Sequence, residues 1–88
     1  MTNVVMYSSM LCPFCTRAKK LLKSKGVTFE EIDVMMQPLR KREMIEKANG
    51  RRTVPQIFIG ATHVGGCDDL MEMEADGKLD ALLNGNAA

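Results

Sequence analysis

Cys12 and Cys15 stand three positions apart in "SSMLCPFCTRAKK", residues 8–20, with Pro13 and Phe14 between them and a basic run behind. Two thiols so placed can chelate a metal, close into a disulfide, or attack one. A thiol is a nucleophile only after losing its proton. Pro13 suits the first position of a helix, where its missing N–H would be unpaired anyway, so Cys12 is expected at the N-cap. A helix N-terminus carries about half a positive charge and several unpaired N–H groups, and both favour a thiolate. Arg17 and Lys19 add weaker, screened help. Cys15 falls one turn inside the helix, more enclosed. The two sulfurs should therefore differ, with Cys12 the exposed attacker and Cys15 the resolving thiol that closes the internal disulfide.

The remaining chemistry-bearing residues narrow the choice. A closed zinc site wants four ligands, usually from two cysteine pairs. Here the only further candidates are His63 and Cys67, spaced H-x-x-x-C, and Pro13 stiffens the turn between the paired thiols. No metal site is expected. Cys67 on its own reads as a small buried hydrophobe, with a regulatory or dimer-forming thiol as the other reading. His63, the only histidine, lies between Thr62 and Val64 in an expected strand and reads as structural or exposed, not as a base. Three cysteines cannot all pair within one chain. The N-terminus "MTNVVMYSSM" shows no basic stretch followed by an apolar one, and no apolar run approaches the roughly 18 residues that span a bilayer. A cytoplasmic, reducing setting without membrane attachment is expected, where a close cysteine pair is catalytic or metal-binding.

Eighty-eight residues, 45% hydrophobic and 26% charged, suit one globular domain over 1–88. The net charge of +1 hides a polarity. Residues 1–29 contain Arg17, Lys19, Lys20, Lys23 and Lys25 and no acid, whereas residues 61–88 contain six acids and one lysine. Solvated helix faces explain this; a field steering an anionic substrate toward the cysteines is the sharper reading. Balanced charge, one tyrosine, three phenylalanines and no tryptophan argue against nucleic-acid binding.

The periodicity supplies the elements that must position the thiols. "NVVMY", 3–7, reads as a buried strand. A helix follows from Pro13, with Phe14, Ala18, Leu21 and Leu22 on one face and Gly26 as its stop. "VTFEEIDV", 27–34, reads as a second strand. Pro38 opens a second helix that Asn49-Gly50 closes, with Leu39, Met44, Ile45 and Ala48 on its apolar side. "QIFIG", 56–60, and "THV", 62–64, form a hairpin. After Gly65-Gly66, one final helical region places Leu70, Met73, Leu79, Leu82 and Leu83 inward. The order β-α-β-α-β-β-α calls for a parallel pair with a right-handed crossover, then a hairpin, giving a mixed four-stranded α/β sheet flanked by helices.

"YSSMLCPFC", "RRTVPQIFI" and "VGGCDDL", in this order and spacing, make residues 3 to about 83 resemble a dithiol glutaredoxin of the bacterial type. The resemblance implies the thioredoxin-like fold, glutathione as cosubstrate, and reduction of protein disulfides and glutathione mixed disulfides by a monomer. It implies that Cys12 takes glutathione into a mixed disulfide. Val54, in the loop Thr53-Val54-Pro55 with its proline cis, would offer backbone N–H and C=O groups to the cysteinyl part. Gly65-Gly66 would let the backbone approach closely, and the N–H groups around Cys67 and Asp68 would hold the γ-glutamyl carboxylate while the Asp68 side chain meets the ammonium group. Tyr7, Pro13 and Phe14 would support the site. Many relatives carry a lysine three residues before the first cysteine, and here that position is Ser9. Arg40, Lys41 or Gln56 is expected to take over its contact with the glycine carboxylate. The alternative is a binding module: a dimer holding an iron–sulfur cluster through Cys12 and glutathione, which some relatives do, usually with a less rigid turn than Pro13 provides. A thioredoxin is disfavoured, because this chain lacks the tryptophan of that family's active-site motif.

Overall fold

Residues 3–85 are described by the structure, a computed structural model. The apolar N-terminal run forms β1 (Val4–Ser8), and Pro13 opens α1 (Pro13–Ser24), which ends where Gly26 adopts φ +72°. There follow β2 (Glu30–Asp33), α2 (Pro38–Lys47), β3 (Gln56–Ile59), β4 (Thr62–Gly65), α3 (Cys67–Ala75) and α4 (Leu79–Leu83). The sheet order is β2-β1-β3-β4, with β1 parallel to β2 and antiparallel to β3, and β3 antiparallel to β4. This is the mixed sheet expected from the element order.

Alternation along the strands divides the interior into two cores. Val4, Met6, Ile57 and Ile59 face Ala18 and Leu22 of α1, Leu70 of α3, and Leu79, Leu82 and Leu83 of α4. On the other face Tyr7, Ile32 and Val34 pack with Met44 of α2, and half-buried Val5, Ile45, Val54 and Phe58 close the edges.

Three expectations need correction. The final helical region is two helices, because Gly77 takes φ +73° and the chain reverses there, with Gly77 N–H donating to Glu74 O and Lys78 N–H to Met73 O. The second strand is shorter than 27–34, since the ladder to β1 runs only from Glu30 to Asp33; Val27 and Phe29 instead pack against the larger core. Leu39 is 80% exposed, not inward. Five residues at about 100° each put it roughly 140° around the helix from Met44.

The topology gathers chemistry at one end. β1, β2 and β4 finish there and β3 begins there, so the loops after β1 and β2, the segment before β3, and Gly66 all meet at that end. α1, α2 and α3 all start from it.

Candidate active site

Cys12 is the N-cap of α1, with φ −115° and ψ 106°, and its Sγ accepts the Cys15 N–H at 3.2 Å. Pro13 is the first helical residue. The Cys12 sulfur is half-buried and lies 3.7 Å from Val54 O. Cys15 is buried, and its thiol is pushed up to about 12, first by burial and then by its hydrogen bond with the Cys12 sulfur. The Ser9 N–H and the Lys19 charge oppose that rise without cancelling it. The sulfurs are thus inequivalent in exposure and in chemistry.

Beside them opens a cleft of about 500 Å³. Phe14 stands at one wall, 54% exposed: it shares a helix face with Ala18 but lies in the first turn, beyond the core, and is not packed inward as the periodicity suggested. Thr53, Val54 and Pro55 form a second wall, with the Val54–Pro55 peptide cis. Gly66, Cys67, Asp68 and Asp69 form a third, and Arg51 and Arg52 complete it. Cys67 is buried, which raises its thiol, and it begins α3. Asp69 rather than Asp68 closes the start of α3: its carboxylate accepts the Gly66 N–H at 2.8 Å and Arg51 Nη1 at 3.1 Å. The Gly66 hydrogen bond holds the Asp69 carboxyl below its ordinary range, and Asp68 is left exposed in the first turn.

The expected cations lie elsewhere. Arg40 pairs with Glu43 at 3.1 Å, and neither it nor Lys41 lines the cleft. Gln56 is fully buried, its amide donating to Thr53 O at 3.0 Å and Thr53 Oγ1 at 3.3 Å while its oxygen accepts from His63 Nε2 at 2.7 Å. The cations in the cleft wall are Arg51 and Arg52, which precede "TVPQ" directly in sequence; nothing in their spacing marked them. Tyr7 also stays out of the cleft. Buried on the α2 side, it donates its hydroxyl to Glu43 and packs edge-on against Phe58. Burial, then Glu43, push the Tyr7 phenol up to about 12. Among the described residues no three histidine, cysteine or carboxylate side chains come together as a metal site.

Gln56 ties the Thr53–Pro55 segment to β4 through His63, whose ring also stacks on Phe58. Burial, then the Arg51 charge, lower the pKa of His63, so at neutral pH its Nε2–H donates from an uncharged ring. Gln56→Met should cost about 1–3 kcal/mol in urea unfolding, since it deletes three buried or half-buried hydrogen bonds and leaves the partners partly hydrated.

Two inequivalent sulfurs, the accessible one next to a cleft walled by arginines and carboxylates, suit thiol–disulfide exchange, and the sheet and helix arrangement is the thioredoxin-like one. Comparison with known proteins resolves the class further. The glutaredoxin family model matches residues 4–64. Glutaredoxin 3 of Escherichia coli is 54% identical over 83 residues, covering 94% of this chain and 99% of that one. The solution structure of a glutaredoxin from Brucella melitensis superposes with a TM-score of 0.86 at 51% identity, covering 100% of this chain and 95% of its own. A buckwheat glutaredoxin–glutathione complex superposes with a TM-score of 0.86 at 35% identity, covering 99% and 83%. The chain belongs to the glutaredoxin family. It is a glutathione-dependent thiol–disulfide oxidoreductase, with glutathione as its cosubstrate.

Proposed function

We propose that Cys12 is the attacking sulfur and Cys15 the resolving one, acting on glutathionylated proteins and protein disulfides. In the first reaction the Cys12 thiolate attacks the glutathione sulfur of the substrate. The protein–glutathione S–S bond breaks, the protein thiolate leaves and takes a proton from water, and glutathione stays on Cys12 as a mixed disulfide. A second glutathione thiolate then attacks the bound glutathione sulfur, releasing oxidised glutathione and the Cys12 thiolate. Alternatively Cys15, one helical turn away, attacks the Cys12 sulfur and frees glutathione. The observation that carries this reading is the Cys12 sulfur at a helix N-cap, open beside Val54 and the cleft.

In the cleft the backbone of Val54 pairs with the cysteinyl part of glutathione as one added strand rung. The N–H groups of Cys67 and Asp68 at the start of α3 take the γ-glutamyl carboxylate, the Gly66 N–H being held by Asp69, and the Asp68 carboxylate meets its ammonium group. The glycine carboxylate faces Arg51 and Arg52. Because Arg51 already pairs with Asp69, Arg52 is the freer cation. The enzyme acts as a monomer in the cytoplasm. Three free thiols suit a reducing compartment, and among the described residues no helix is long and apolar enough to cross a membrane.

The test is glutathione-dependent reduction of a small mixed disulfide, coupled to NADPH and glutathione reductase, for wild type and Asp68→Ala. Asp68 is exposed, so its ion pair with the ligand is worth about 1 kcal/mol, a roughly fivefold rise in KM with kcat little changed. An unchanged KM would remove Asp68 from the binding site.

A further inference from the structure

The large apolar side chains exposed among the described residues are Met10, Leu11, Phe14, Met35, Met36 and Leu39. They do not scatter. Met10, Leu11 and Phe14 flank Cys12 in the chain, and the other three lie in or just after the loop that follows β2. Since β1 and β2 are parallel neighbours, those two loops leave the sheet side by side, joined by Val34 N–H donating to Ser8 O at 2.9 Å. The sheet order then puts Met35, Met36 and Leu39 on the β2 side of Cys12 and the cleft, with Phe14 in its wall, on the β3–β4 side.

We propose that the rim formed by Met35, Met36 and Leu39 beside Cys12 is the docking surface for protein disulfide substrates, and that it takes a cysteine-bearing segment with apolar residues next to the cysteine and acidic residues beyond. This rests on the reading of Cys12 and the cleft given above, and assigns the part of the substrate that the cleft does not hold. Exposed apolar side chains gathered on two neighbouring loops at the end of the sheet that carries the reacting atom suit an interaction site. Methionine, flexible and polarisable, adapts to varied partner sequences.

Charge selects the flank. The first turns of α1 and α2 contain no acid, and both helix N-termini open at this end. Lys41 and Arg42, just beyond Leu39, are exposed and have no ion pair among the described residues. The acid of the β2 loop, Asp33, is used locally: its Oδ1 accepts the N–H groups of Met35 at 2.8 Å and Met36 at 3.2 Å, fixing the turn that presents both side chains. A partner acid therefore meets cations.

In the docked reaction the Cys12 thiolate attacks one sulfur of the partner's disulfide. That S–S bond breaks, the other partner sulfur leaves as a thiolate and is protonated by water, and Cys12 is joined to the partner. Cys15 attacks the Cys12 sulfur, frees the second partner thiol and leaves the internal disulfide, which two glutathione molecules reduce.

Two substrates in one assay test this. One is a mixed disulfide of glutathione with 2-mercaptoethanol. The other is a synthetic peptide closed by a disulfide, with leucines beside one cysteine and glutamates a few positions on. Met35→Ser, Met36→Ser and Leu39→Ser combined should lower kcat/KM for the peptide about tenfold and leave the small substrate within about twofold. Lys41→Glu with Arg42→Glu should lower peptide turnover at low salt, with the deficit fading as salt screens the pairs. Equal losses on both substrates, or an unaffected peptide, would overturn the proposal. So would a wild-type dimer in sedimentation equilibrium that the triple variant dissociates, since the rim would then belong to a second copy. If wild type fails to reduce the small mixed disulfide with glutathione, the fault lies in the cleft reading beneath this one.

Discussion

Cys12→Ser is expected to reduce every glutathione-dependent activity to background, while Cys15→Ser keeps deglutathionylation and loses most dithiol reduction of protein disulfides. A serine hydroxyl at the N-cap does not ionise near neutrality and cannot form a disulfide, so no first step remains. Cys15 cannot substitute for it. It is 1% exposed, and burial and the hydrogen bond with the Cys12 sulfur push its thiol up to about 12, so at pH 7 it stays protonated. That same suppression keeps Cys15 from competing as first attacker. Once Cys12 is tied up in a mixed disulfide, its hydrogen bond and charge no longer hold Cys15 protonated, and Lys19 and the Ser9 N–H act against burial alone. The resolving thiol is thus released by the step that calls for it. The measurement is the coupled assay on a small mixed disulfide beside reduction of an intact protein disulfide. Equal damage from both substitutions in the first assay would contradict the assignment.

Gly65→Ala should be the most damaging change outside the thiols. Gly65 sits at φ +114°, where an L side chain is strained by about 1–3 kcal/mol. A Cβ there would also lie 2.7 Å from Arg51 Nη1 and press on Asp69 Oδ2. Relieving that contact separates Asp69 from the Gly66 N–H, costing about 1 kcal/mol of helix capping, and shifts the wall that carries Cys67 and Asp68. The sum, about 2–4 kcal/mol, is a large part of the 5–15 kcal/mol that holds a small domain together. KM should rise as well, because the displaced groups line the cleft. Gly77→Ala is the control: its φ is +73° but nothing lies within 4 Å of the added carbon. It should lose only the backbone term in urea unfolding and leave KM unchanged. Matching losses for the two would show that crowding at Arg51 and Asp69 contributes nothing.

Much of this architecture was legible in the sequence because apolar periodicity and helix punctuation are local. Pro13 and Gly26 bracketed α1, and the alternation of Ile57 and Ile59 with Phe58 marked a strand between two cores. What was not legible depends on contacts between distant segments. Asp68 and Asp69 are adjacent and chemically alike; which one caps α3 follows from the rotation of the helix start and from Arg51, eighteen residues earlier. Gln56 seemed available to a ligand until its pairing with Thr53 and His63 consumed its amide. Leu39 looked like core because leucine usually is, and only the helical angle to Met44 turns it outward. Arg51 and Arg52 stood in the stretch "RRTVPQIFI" with no role read for them, since a pair of arginines before a turn is ordinary surface composition until the fold brings it against the start of α3.

The division of the interior into two unequal cores bears on how the molecule opens. The larger core ties α1, α3 and α4 to the sheet through ten buried side chains, whereas Met44 is the one buried residue within α2. Free energies of local opening scale with such anchorage. α2 is therefore the element that can detach alone, its amides exchanging with solvent hydrogen while those of α1 wait for global unfolding. Cys12 and Cys15 sit on the slow side of that boundary, so the geometry of the sulfur pair persists through excursions that transiently free Arg40 and Glu43 from the face of the sheet.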